Sequence, residues 1–227
     1  MYIYIYIPML ISKINFQIPQ KILNMSYAPV PRSKAGYLWG SSNAQVQVEF
    51  FHDVQCPFSR KFFNTLYPLI SKPAPEDNKF AITISCGVLF GHNQAFETTR
   101  GAIHAAKGTT EGFIEALHSI SENFDSLKND ACANKTRLDV QKLVAGILAK
   151  QTGESEEEFI AQTFDKDDTY AEAKVMFRNM ILKGMFGTPS VQINGVPVQK
   201  IGSAMSLDEI KACFKEVEDM AGPAKFL

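Results

Sequence analysis

An α/β fold with a mixed sheet, interrupted by an all-helical block, is what this 227-residue sequence predicts. Three observations carry it. A strand-like run at Val46–Phe51 leads through a short loop into a helical pattern and then a second strand at Phe80–Ser85. The apolar spacing changes from two to three or four between about residues 93 and 183. Strand signals return at Ser190–Ile193 and Val196–Gln199, ahead of a last helical pattern.

Taken in order, residues 28–36, with Pro29, Pro31 and Gly36, read as an extended lead-in. Val46-Gln-Val-Glu-Phe-Phe51 is rich in β-branched and aromatic residues and is the first strong strand. Cys56-Pro57-Phe58-Ser59 then opens a helix, because Phe58, Phe62, Leu66 and Ile70 recur every four residues and Pro57 suits the first helical position. The Pro73, Pro75, Asp77, Asn78 turn cluster precedes Phe80–Ser85. This β-α-β unit implies a parallel pair with a right-handed crossover. Helices are expected near 94–107, 111–124, 137–151, 156–164 and 168–184, with Ser155…Glu158 and Thr169…Glu172 as capping boxes that fix two of the starts. Asn194-Gly195 turns a hairpin whose second strand holds Pro197 and so belongs at the sheet edge. Ser206…Glu209 caps a final helix with Leu207, Ile210, Phe214 and Val217 on one face. The expected division is a leader and extended segment at 1–35, an α/β domain from 36–92 and 185–222, and a helical insertion at 93–184.

Composition excludes several function classes. With 45% hydrophobic and 21% charged residues the chain is neither disordered nor collagen-like. Twenty-three basic against 24 acidic residues, without a run of five like charges, leave no electrostatic footprint for nucleic acid or an anionic membrane. Four cysteines, Cys56, Cys86, Cys132 and Cys213, are too few and too scattered for a disulfide scaffold, and none stands at zinc-site spacing from another cysteine or a histidine. His92, His104 and His118 have no carboxylate or cysteine partner at ligand spacing, so surface or helix-packing roles are expected and no metal site is.

The opening Met-Tyr-Ile-Tyr-Ile-Tyr-Ile run matches no part of this pattern. A secretory signal is disfavoured: nothing basic precedes Lys13, Pro8 interrupts the apolar run, and no small-residue cleavage motif follows. The run is also too short to span a bilayer. Alternating TAT and ATA codons spell Tyr-Ile, so residues 1–24 are expected to be a TATATA repeat of an untranslated leader read as protein, not native to the chain, and Met25 the true start. A mitochondrial-type leader is the alternative, since Lys13, Lys21, Arg32 and Lys34 precede the first acid, Glu49. A cytoplasmic location is expected, with mitochondrial or secretory ones as alternatives.

The chemistry centres on Cys56. A thiol at a helix N-terminus faces unpaired backbone N–H groups and the positive end of the helix dipole, both of which favour thiolate. A small buried hydrophobe is the competing role for a free cysteine. Ser59, three residues on, is near enough to hydrogen-bond that thiolate or to cap the helix. His52 and Asp53 bear on the same thiol with opposite signs, a protonated imidazole favouring thiolate and a carboxylate opposing it.

The element order, with Cys56-Pro57 at the first strand-to-helix turn and Gly187-Thr188-Pro189 opening the second strand group, resembles the thioredoxin superfamily and its DsbA-like branch across about residues 36–220. That resemblance implies a thioredoxin-like fold with a helical domain inserted between its halves. It further implies a cis Pro189, with Thr188 offering backbone groups to an extended client, so that Pro57, Phe58, Thr188 and Pro189 bind substrate. Glu49 stands where the superfamily often keeps a proton-relaying carboxylate, although a half-exposed strand face explains it too. The departure is Ser59, where dithiol members carry a second cysteine. The resemblance therefore implies a thiol-disulfide oxidoreductase working through one cysteine by isomerisation, deglutathionylation or mixed-disulfide capture, with Cys56, Ser59 and Glu49 as catalytic residues. The expected partners are cysteine-containing protein or peptide clients, or glutathione; no bound cofactor is expected, with glutathione as a candidate co-substrate. A glutathione-dependent transferase and a non-catalytic client-binding protein are the alternatives. Cys86, beside the thiol-bearing strand, is either a substitute resolving thiol or core.

Overall fold

Buried Val46, Val48 and Phe50 alternate with half-buried Gln47 and Glu49, the pattern of a strand packed hard on one face. In the computed structural model, which describes residues 35–220, that strand is the centre of the sheet. The expectations for residues 1–24 and Met25 lie outside the described residues. The elements are β1 (Tyr37–Trp39), β2 (Val46–His52), α1 (Pro57–Ile70), β3 (Phe80–Cys86), α2 (Ala95–Ala105), α3 (Thr110–Glu122), α4 (Arg137–Thr152), α5 (Glu156–Phe164), α6 (Asp168–Leu182), β4 (Ser190–Ile193), β5 (Val196–Pro197) and α7 (Leu207–Met220). A 3-10 turn at Phe124–Leu127 follows α3.

The strand order is β1-β3-β2-β4-β5. β2 and β3 run parallel in the register Val48↔Ile82, and β4 returns antiparallel to β2 with Phe50↔Val191. The sheet is therefore mixed, and β5 with Pro197 forms its edge. Asn194 and Gly195 both have positive φ, the conformation an Asn-Gly hairpin turn requires. Phe50 meets Phe62 of α1 edge-on at 4.8 Å, whereas the adjacent Phe51 packs with Met180 and Met185 in a second apolar cluster. Met176, likewise buried, belongs to the main core.

Two elements differ from expectation. β1 was not legible in the sequence, because three residues are too few to display alternation; it pairs antiparallel with β3. Thr169 does not cap α6, whose N-cap is Asp167. Its hydroxyl donates instead to the Thr163 carbonyl (2.6 Å). By contrast Ser155–Glu158 and Ser206–Glu209 make the reciprocal bonds of capping boxes.

Within the helical block α2 lies close against α4: a side chain at Gly101 would overlap Val144, so glycine is required there. The neighbouring Arg100, 2% exposed, donates to the carbonyls of Thr163 (2.7 Å), Phe164 (3.2 Å) and Lys166 (3.1 Å) and to Thr169 Oγ1 (3.1 Å). The Thr163 and Phe164 carbonyls are ones that the end of α5 cannot satisfy within its own helix. Replacing Arg100 with methionine removes the donor of the part-buried Phe164 and Lys166 carbonyls and one of the two donors of the buried Thr163 carbonyl, which keeps Thr169, and should lower unfolding free energy by about 2 kcal/mol. Urea denaturation measures it, and a loss within about 0.5 kcal/mol, the range of an ordinary surface substitution, would contradict this role.

Candidate functional site

Cys56 is the N-cap of α1, with extended backbone and Pro57 next to it, so the first N–H groups of the helix open beside its side chain. It is 4% exposed. Its Sγ donates to the Thr188 carbonyl at 3.3 Å. The pairing Phe51↔Ser190 explains this approach, since it sets the residues before β4 opposite the end of β2. The Thr188–Pro189 peptide is cis, and the Ser190 hydroxyl closes the turn on Gly187 O at 2.6 Å. Cys56, Pro57, Thr188 and Pro189 thus meet at one end of the sheet.

Ser59 is buried, and its hydroxyl accepts from Asp53 N (3.4 Å) in the turn before α1. Phe58 is exposed, as are Phe90 after β3 and Phe186 before Gly187. Each belongs to a segment that leads into or out of the site. Glu49 forms an ion pair with Lys183, just beyond α6. Its carboxylate is therefore already engaged by a cation on the Phe51 side of the sheet, where Lys183 also lies 5.8 Å over the Phe51 ring.

Asp53 is the residue whose role sequence reasoning left unsigned. It is fully buried, and its carboxylate accepts from Gln55 N (2.8 Å), Leu89 N (2.7 Å) and pairs with His92 Nδ1 (2.9 Å). Its backbone carbonyl accepts from Cys56 N at 3.0 Å. Gln55 continues the network to Gln94 (2.7 Å) and Asn129 (2.8 Å). The Cys56 turn is thereby tied to the β3–α2 loop and to the helical block. His92 and His104 do have carboxylate partners, Asp53 and Glu154, but at sequence separations of 39 and 50 that no local spacing reveals. Among the described residues no group of three or more His, Cys, Asp or Glu side chains has metal-holding geometry.

His52 does not supply charge. Burial pushes its imidazole down to about 3, it packs against Phe50 and Phe63, and its Nδ1 has no partner. Cys86 lies opposite it on β3 and is fully buried; desolvation, then the Asp53 charge, pushes its thiol up. Cys86 is core. Cys132 is buried as well, and Cys213 on α7 is half-buried.

A thioredoxin family profile matches residues 32–216. The chain belongs to the thioredoxin family. Among curated proteins none matches it by sequence. Solved structures share its fold at low identity. A candidate protein-disulfide isomerase from Pseudomonas syringae superposes with a TM-score of 0.65 at 19% identity, over 79% of this chain and 97% of the other. BdbD from Bacillus subtilis gives 0.60 at 16% identity over 81% and 93%, and the thiol-disulfide exchange protein alpha-DsbA2 from Wolbachia pipientis gives 0.59 at 16% over 82% and 87%. This thioredoxin-family chain therefore has a DsbA-like fold, with Cys-Pro-Phe-Ser at the helix start where Cys56 meets Thr188.

A buried neutral His52 has a pH signature. The unfolded chain takes up a proton near the ordinary histidine value, while the folded chain refuses it until about pH 3, so stability declines as pH falls between those values. His52→Leu should lose less stability than wild type between pH 7 and pH 4 in urea titrations. A parallel decline in the two proteins would mean that the folded imidazole is protonated after all.

Proposed function

We propose that this chain is a thiol-disulfide oxidoreductase that works through the single thiol of Cys56, with glutathione clearing the mixed disulfide. The observation that carries the reading is Cys56 Sγ at the start of α1, 3.3 Å from the Thr188 carbonyl, with a serine and not a thiol at the third position after it. The helix N-terminus favours negative charge on sulfur. The backbone at Thr188 offers an extended client a strand-like edge. Exposed Phe58, Phe90 and Phe186 offer apolar surface to a partly unfolded one.

The reaction balances without any other redox group. The Cys56 thiolate attacks the disulfide between a client and glutathione; that S–S bond breaks, the client leaves as thiolate, and a Cys56–glutathione disulfide forms. The thiolate of a reduced glutathione attacks its glutathionyl sulfur, releasing oxidised glutathione and the Cys56 thiolate. Ser59 holds the Asp53 N–H during this cycle and forms no disulfide. Glu49, paired with Lys183, sits on the strand that leads into the turn and is the nearest candidate for proton traffic from the sheet side. A cytoplasmic location suits the cycle because reduced glutathione is abundant there.

Ser59→Cys supplies the missing resolving thiol and should turn the protein into a dithiol enzyme. Insulin reduction with dithiothreitol should rise about tenfold or more over wild type, which instead accumulates mixed disulfides visible by intact mass. Wild-type turnover equal to the variant's would mean that another cysteine resolves the intermediate. Conjugation of glutathione to an electrophile, with no mixed disulfide, would favour a transferase; retained peptide binding with neither activity would favour a client-binding protein.

A further inference from the structure

Helix α1 has fourteen residues and no carboxylate among them, although the whole chain is balanced at 23 basic and 24 acidic residues. Its two charged side chains, Arg60 and Lys61, fall in the first turns after Cys56. Arg60 stands four residues on, in the same row of the helix as the thiol, and side chains on a helix lean toward its N-terminus. Both cations therefore lean toward the end that carries Cys56.

Pro57, Arg60, Lys61, Asn64 and Thr65 line an open depression of about 520 Å³ on this side of α1. That volume is within the range, roughly 300–1,000 Å³, of small-molecule sites. Arg60 stacks its guanidinium over the Phe124 ring at 4.9 Å, and its Nε is buried without a hydrogen-bond partner. Among the described residues neither Arg60 nor Lys61 forms a salt bridge; the acid nearest to Arg60 in effect, Asp125, is taken by Lys128 at 2.5 Å. Lys128 lies 5.6 Å over the same Phe124 ring. A guanidinium held by an aromatic ring, with a second cation beside it and no carboxylate in salt-bridge contact with either among the described residues, forms a receptor for a carboxylate.

We propose that this depression is the subsite for the carboxylates of a glutathionyl group joined to Cys56, with Arg60 as the principal anchor and Lys61 adding charge. The proposal rests on the single-thiol reading of Cys56. Glutathione fits because its thiol and its terminal carboxylates are separated by short spacers, so one end can occupy Cys56 while another reaches one helical turn along α1. Arg60 and Lys61 are then specificity residues: they select an anionic small disulfide over a neutral one, and leave the sulfur chemistry to Cys56.

The test compares two disulfides, oxidised glutathione and the uncharged bis(2-hydroxyethyl) disulfide, each reacted with the full chain while mixed-disulfide formation on Cys56 is followed by intact mass. The wild-type ratio of rates should favour glutathione. In Arg60→Gln/Lys61→Gln it should fall about tenfold, and raising ionic strength should lower it in wild type, as screening of exposed charge demands. Lys215→Gln, which breaks a pair with Asp219 on α7, serves as a control for net charge and should leave the ratio unchanged. An unchanged ratio in the double variant overturns the subsite and leaves the single-thiol reading intact. Reaction of Cys56 with neither disulfide overturns the single-thiol reading itself, and the subsite with it.

Discussion

A carboxylate removed from water must recover every bond it gives up, and Asp53 does so with groups from its own turn and from the β3–α2 loop. Its oxygens take the Gln55 and Leu89 N–H groups and the His92 ring, while its own carbonyl takes the Cys56 N–H. Hydrogen bonds to a charged acceptor contribute about 1.5–3 kcal/mol each. The β2–α1 turn, the β3–α2 loop and, through Gln55 and Asn129, the segment that follows α3 are thereby locked into one arrangement. Cys56 has a defined position because this lock has few alternatives.

On that frame the thiol meets two opposite environments. Toward α1 it faces the free N–H groups of the helix start, and toward β4 it faces the Thr188 carbonyl. A client chain that lies along Thr188 brings its sulfur to the same end of the sheet. The other three cysteines lack this combination. Cys86 ends β3 in the core, Cys132 faces the Ser126 carbonyl but has no helix start beside it, and Cys213 sits on the flank of α7 away from its start. Burial of His52 as a neutral ring also keeps its positive charge from the turn.

Much of the fold was legible because local chemistry and global packing agree. The four-residue spacing of Phe58, Phe62, Leu66 and Ile70, Pro57 at the helix start, Asn194-Gly195 at the hairpin and Ser155 and Ser206 at their caps each impose one local conformation. β1 escaped because three residues show no periodicity, and the cap of α6 was misassigned because the Thr169 hydroxyl is taken by the Thr163 carbonyl. The site divides the same way. Cys56, Thr188 and Pro189 are marked by motifs, whereas Leu89 and His92 on Asp53 and Lys183 on Glu49 lie 36 to 134 residues away and carry no spacing signal. The bond from the Asp53 N–H to the Ser59 hydroxyl, six residues apart, likewise follows from no spacing in the sequence.

The central claim is that one thiol suffices. A variant with Cys86, Cys132 and Cys213 all replaced by alanine leaves Cys56 alone, and its glutathione-dependent release of glutathione from a glutathionylated peptide can be compared directly with wild type. The account predicts rates that agree within about twofold, as expected when the attacking and leaving thiols are unchanged. Loss of turnover in a variant that remains folded would show that a second cysteine takes part, and would contradict it.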